Sequence, residues 1–153
     1  MASHPKVIVF GASGNVGNYI VPALIEAKVP TTVVTRASSK ATFPSGVTIA
    51  TADYNSLESL TSVIKGHDVV VSLVAARASS SQELVVDAAV AAGATYFLPS
   101  EYGHDGENEE INRLLPHFSK KGAVREHLKT KEKDGLTWTS LFTALFFDWV
   151  SSA

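Results

Sequence analysis

Cysteine is absent from the 153 residues, which excludes a disulfide framework, a thiolate metal site and a cysteine nucleophile, and is compatible with a reducing compartment. Excess charge is missing too. Lys+Arg 13 against Asp+Glu 15 give a formal net charge of -2, without the long-range field that non-specific binding to nucleic acid or an anionic membrane requires. The longest greasy stretch, Leu141 to Val150, contains Thr143 and Asp148 and falls short of the roughly 20 residues of a spanning helix. Met1 to Lys6 lacks the basic flank, apolar stretch and small-residue cleavage site of a secretory signal, so the expectation is a cytoplasmic protein. Only 18% of residues are charged and 45% are hydrophobic, enough to bury one core, and at about 100–200 residues per domain the length fits one domain or a fragment of something larger.

Several catalytic patterns are also lacking. Gly-x-Ser-x-Gly fails at Asn15, no Gly-Lys-Ser/Thr follows a glycine loop, and His-Glu-x-x-His does not occur, which excludes esterase, kinase-like and zincin chemistry. His4, His67, His104, His117 and His127 show no ligand spacing, so no metal site is expected and loop or surface positions are. Tyr19, Tyr54, Tyr96 and Tyr102 are followed four positions later by Ala23, Glu58, Ser100 and Gly106, so a Tyr-x-x-x-Lys pair is missing as well.

What is present is an alternation of short β-branched runs with stretches of helical period. Val7–Phe10 reads as a strand, and Val16, Ile20, Ala23, Leu24 and Ala27 follow at helical spacing, interrupted by Pro22. Strands are expected at 31–35, 47–50, 69–73, from Tyr96 and at 137–142. Helices are expected at 56–64 (closed by Gly66), 82–92 (closed by Gly93) and from near Pro116 to Lys133. Residues 99–112 read as irregular, and Ser79-Ser80-Ser81 as a loop and helix start. Strands alternating with helices predict an α/β, doubly wound parallel sheet of the Rossmann type in the order 3-2-1-4-5-6, with ligand at the carboxyl ends of its strands.

Gly11-Ala12-Ser13-Gly14-Asn15-Val16-Gly17 lies between the first strand and the first helix, the context in which a glycine pattern signifies dinucleotide binding and not a packing turn alone. Gly11 permits a tight turn, Gly14 lets main chain approach a pyrophosphate, and Gly17 packs helix on strand, while the helix start offers N–H groups and a positive dipole end. Nineteen residues beyond Gly17, Arg36 stands where an NAD site carries an acidic residue. With Ser38, Ser39 and Lys40 it suits a 2′-phosphate, hence NADP(H), although a solvated surface arginine reads the same way. Asp53 falls where an adenine edge rests, or it is an N-cap or turn residue.

On the helix after Pro116, Lys121 falls near the centre of the arc holding Phe118, Val124 and Leu128, whereas Lys120 points about 100° away. A lysine there must snorkel, pair, or line a cavity. In the last case desolvation beside a cationic nicotinamide lowers its pKa and suits proton transfer. Seven basic residues lie between Arg113 and Lys133, and the acids among and around them suggest a solvated helix face; the acidic loop 104–110 is expected to be exposed and mobile, or a lid.

The glycine loop, Thr35-Arg36, Phe97-Leu-Pro-Ser-Glu-Tyr-Gly103, and Lys121-x-x-Val124-Arg125 leading to Gly135-Leu-Thr-Trp-Thr139 together resemble the NmrA-like and isoflavone-reductase-like proteins, atypical short-chain dehydrogenase/reductases that use NADP. The resemblance covers nearly the whole chain and implies one NAD(P)-binding domain over residues 1–153, lacking the later elements that build the family's substrate pocket. It implies Lys121 as the proton-transfer residue, Ser100-Glu101-Tyr102 beside the nicotinamide, and Val74-Ala75-Ala76 facing its ribose. The expected activity is NADPH-dependent reduction of a small aromatic or phenylpropanoid-like substrate; the alternative is a dinucleotide-sensing regulator without turnover. The apolar end, Phe146 to Val150, is expected to need a covering partner or second copy.

Overall fold

The computed structural model describes residues 4–75, 80–103, 105–114, 119–144 and 146. β1 (Val7–Phe10) is buried along its length and sends alternate residues to opposite faces. Ile8 and Phe10 join one hydrophobic cluster, Val7 and Val9 another. Five parallel pairings set the order β3-β2-β1-β4-β5-β6, with β2 (Thr31–Thr35), β3 (Thr48–Thr51), β4 (Val69–Ser72), β5 (Tyr96–Leu98) and β6 (Thr137–Trp138). The expected strand order is the one observed.

Helix α1 (Gly17–Glu26) packs on the Val7/Val9 face through Val21. Helices α2 (Leu57–Ile64), α3 (Ser80–Ala92) and α5 (Ser119–Lys131) cover the Ile8/Phe10 face through Leu60, Ile64, Val86, Ala89, Val124 and Leu128. Pro22 stays inside α1 without ending it. It and Asn18, whose carbonyl loses the i+4 donor, are both exposed, where solvent can replace the missing N–H. α2 starts at Ser56, whose hydroxyl accepts from the Ser59 N–H at 3.2 Å, and Gly66 and Gly93 follow the ends of α2 and α3 in left-handed conformation.

Several elements differ from expectation. β3 is displaced by one residue, and α3 begins at Ser80, two residues early. The stretch read as irregular contains α4 (Glu109–Leu114), capped by Asn108, whose Oδ1 accepts from the Ile111 N–H at 3.1 Å. Six residues are too few for a helical period to show. β6 ends at Trp138 and not at Phe142. Its parallel ladder runs Thr137 N–H to Thr95 O and Thr139 N–H to Phe97 O, and the next rung would need an N–H from Pro99, which has none. The chain leaves α5 through a short 3-10 turn, Glu132–Asp134. The expected start of α5 near Pro116, Phe118 of its arc, Ala76, Ser79, His104, His117 and the apolar residues 147–150 lie outside the described residues.

α3 and α5 are clasped at Asp87, whose Oδ1 accepts from Lys131 Nζ at 2.7 Å and pairs with His127 Nε2 at 2.9 Å. Partial burial pushes this carboxyl up, but the two hydrogen bonds outweigh it and hold it below the usual 3.8. A carboxyl depressed in the folded state contributes stability above its unfolded pKa and loses it as pH falls through the folded one. Because Asp87 is about a third exposed, Asp87→Asn is expected to cost at most about 1 kcal/mol at pH 7 in a urea melt. That difference should shrink as the pH falls below the ordinary carboxylate range and the folded carboxyl is protonated in its turn.

Candidate active site

The carboxyl ends of β1, β4 and β5 form one continuous edge, and strand order reverses between β1 and β4, the switch point at which open α/β sheets bind ligands. Gly11 leaves β1 with φ 76°, and a Cβ there would lie 2.7 Å from the Leu73 carbonyl carbon and 2.8 Å from Val74 N. The Gly14 N–H donates to Gly11 O at 3.0 Å and closes the turn; a Cβ on Gly14 would sit 3.3 Å from that oxygen. A Cβ on Gly17 would collide with the carbonyl of Ala12, which is itself buried. Ser13, Gly14 and Asn15 are exposed, Val16 is half-buried, and α1 begins with no side-chain cap and no acid in its first turn. Main chain alone thus forms a bare cradle at a helix start, which fits the diphosphate of a dinucleotide.

Arg36, Ser38 and Lys40 follow the end of β2 and are all exposed; the Ser39 N–H donates to Arg36 O at 2.9 Å and turns the chain there. Asp53 ends up in the turn role. Its Oδ1 accepts from the Asn55 N–H at 2.9 Å, while the cap of α2 falls to Ser56. Next to it is a residue that sequence reasoning passed over: Tyr54 packs edge-on against Phe10 and donates its hydroxyl to Val34 O at 3.3 Å. Burial raises its pKa, opposed by a hydrogen bond from the Gly11 main chain and by the Arg36 charge.

On the other side of the switch point, Ser100 donates its hydroxyl to Val74 O at 2.7 Å and its N–H to Gln82 Oε1 at 3.0 Å, tying the ends of β4 and β5 to α3. Val74 is buried and Ala75 exposed. Lys121 is buried, 7% exposed, as the helical arc required, and burial lowers its pKa. Glu101 opposes that shift and Arg125 adds to it. A Cβ on Gly103 would lie 3.9 Å from Lys121 Nζ, which places the ammonium beside the segment that follows β5.

Two members of the basic stretch are therefore not on a solvated face. Arg125, also 7% exposed, pairs with Glu101 at 3.0 Å, and Glu101 is 1% exposed. Arg125 Nη2 donates to Gly106 O at 2.6 Å, and Asn112 Nδ2 donates to the same oxygen at 2.7 Å. The acidic loop is thus fastened at its middle. Arg125 lies one turn beyond Lys121 on the same helix face, but along the chain nothing marks Glu101, 24 positions away, as its partner.

Between the start of α1 and the segment after β6 lies a cavity of about 560 Å³, walled by Asn15, Val16, Tyr19, Tyr102, Leu141 and Phe146. Burial pushes Tyr102 up to about 12, so its phenol stays protonated near neutral pH; its hydroxyl has no hydrogen-bond partner among the described residues. Also among these, no group of acids and histidines is arranged to hold a metal ion, and no helix is long and apolar enough to cross a membrane.

The chain matches the model of the NmrA-like family over residues 3–152. It is 43% identical over 147 residues to the oxidoreductase aprR of Aspergillus flavus, covering 94% of this chain and 49% of that protein. Among solved structures, AtPrR2 with NADP+ and (+)-pinoresinol has a TM-score of 0.82 at 25% identity, covering 95% of this chain and 52% of that one. The ternary complex of leucoanthocyanidin reductase from Vitis vinifera has a TM-score of 0.76 at 30% identity, covering 88% and 45%. The chain spans about half the length of the curated relatives it matches.

Proposed function

The chain belongs to the NmrA-like family, and on that premise we propose that it is the NADP(H)-binding part of a reductase acting on a small aromatic, phenylpropanoid-like compound. The observation that carries this reading is the sharing of one sheet edge by the bare glycine cradle and the buried Lys121. The relatives that reduce a leucoanthocyanidin or hold pinoresinol with NADP+ support the substrate class.

In this reading the main chain of Ala12 to Val16 and the first turn of α1 hold the diphosphate, and Arg36, Ser38 and Lys40 receive the 2′-phosphate. Val74, Ala75 and Ser100 border the nicotinamide riboside. The cofactor, when bound, supplies the hydride. Lys121 gives or takes the proton at Nζ, and its lowered pKa brings that exchange closer to neutral pH. The apolar wall of Val16, Leu141 and Phe146 keeps water from the reacting face.

Calorimetric titration with NADPH and NADH tests the first step. One charge-assisted contact to the 2′-phosphate predicts NADPH binding roughly tenfold to a hundredfold more tightly. Arg36→Ala should remove most of that gap and leave NADH affinity almost unchanged. Equal affinities in the parent chain would overturn the 2′-phosphate assignment.

A further inference from the structure

Three buried groups meet behind the site, and a solvated proton donor needs only one of them. Glu101 lies just past the carboxyl end of β5, 1% exposed. Arg125 binds it at 3.0 Å from the second turn of α5, and Lys121 stands one turn earlier on the same helix face. Arg125 is held from the far side by the Gly106 carbonyl at 2.6 Å, leaving it no room to swing away, and its guanidinium lies 5.9 Å from the centre of the Phe142 ring. Such a pair is costly to bury, and hydrophobic residues of similar volume would stabilise the fold as well or better, so stability alone does not explain it.

We propose that Glu101 and Arg125 are positioning residues: Glu101 holds the Lys121 ammonium at the carboxyl edge of the sheet, and Arg125 acts through Glu101 by fixing its carboxylate. The inference rests on the reading of Lys121 as the proton-transfer group. Of the charged groups on the elements packed around Lys121, Glu101 from the segment after β5 and Arg125 from α5 act on it, with opposite sign. Asp87 of α3 is engaged with His127 and Lys131 farther along α5. Asp105 and Glu107 of the loop are exposed, and Tyr102 beside Glu101 is uncharged near neutral pH.

The opposite signs give a test that a merely structural pair would fail. Reductive methylation with a 13C label allows each lysine of the chain to be titrated by NMR, with the Lys121 signal identified by its loss in Lys121→Arg. Glu101→Gln is expected to move the Lys121 midpoint to lower pH, because the ammonium loses its anion and keeps its like-charged neighbour. Arg125→Lys, which keeps the charge, should leave the midpoint close to the parent's. If Glu101→Gln does not fold, the double variant Glu101→Gln, Arg125→Met removes both charges without stranding either, and a lower midpoint is again expected because Glu101 is the stronger influence. An unmoved or raised midpoint in the variants that remove the Glu101 charge overturns the proposal. The titration contains neither NADPH nor substrate, so a failure of the redox reading would show itself separately, in the calorimetry.

Discussion

Gly11→Ala is expected to lose about 2–5 kcal/mol of folding stability in a urea melt, whereas Gly93→Ala should lose only about 1–2 kcal/mol. Both glycines have positive φ, 76° and 79°, so both variants incur the left-handed strain of roughly 1–2 kcal/mol. They differ in what a methyl group meets. At Gly93 nothing lies within 4 Å, while at Gly11 the added carbon would sit 2.7 Å from Leu73 C and O. Those are main-chain atoms at the end of a buried strand, held by the Leu73 N–H bond to Phe10 O at 2.8 Å, and they cannot yield as a side chain would. Relief comes only by lifting the loop off β4, which adds an overpacking cost of about 1–3 kcal/mol and misplaces the amides that form the cradle. NADPH affinity should therefore fall in Gly11→Ala even below its unfolding range, and stay at the parent's value in Gly93→Ala. If the two variants melted alike, the close passage of the loop over β4 would not be what requires glycine there.

This contrast also shows what the amino-acid order discloses and what it hides. Val7–Phe10, Thr31–Thr35 and Val69–Ser72 are runs of β-branched and apolar residues bounded by turns, and a strand buried on both faces has little else it can be. The glycine loop was legible because its residues act through their own main chain, which follows from strand, turn and helix in succession. The proposed place of Arg36 at the 2′-phosphate rests on its distance from Gly17. The Glu101–Arg125 pair was not legible, because its members lie 24 positions apart and meet only when α5 is laid against β5. Seen along the chain, Arg125 is one of seven cations among acids, indistinguishable from Lys129, which pairs with Glu126 at 2.7 Å in solvent. The end of β6 was hidden for the same reason: the Pro99 that stops it belongs to its neighbour. Asp53 uses its carboxylate locally in a turn, while the phenol of Tyr54, to which the sequence reading assigned no role, reaches across the sheet ends to Val34.

Arg125→Met should cost about 3 kcal/mol or more at pH 7. The reason is not the strength of the ion pair but what its removal leaves. Glu101 is 1% exposed, so losing the guanidinium takes a cation at 3.0 Å away from a carboxylate that is buried from water. The Gly106 carbonyl loses its 2.6 Å donor at the same time and keeps that of Asn112 at 2.7 Å, which loosens the loop in front of α4. Two comparisons separate these effects. Adding Glu101→Gln to Arg125→Met removes the stranded charge and should restore most of the stability, because a neutral amide and a thioether fill nearly the same volume. Lowering the pH should do the same to the single variant, since a carboxyl stranded in the interior takes up a proton to shed its charge; its deficit against the parent should therefore shrink on acidification, opposite in sign to the Asp87 clasp, whose contribution is lost in acid. A deficit that stayed constant with pH and survived the double replacement would mean that the loop contact at Gly106, and not the buried pair, is what Arg125 contributes.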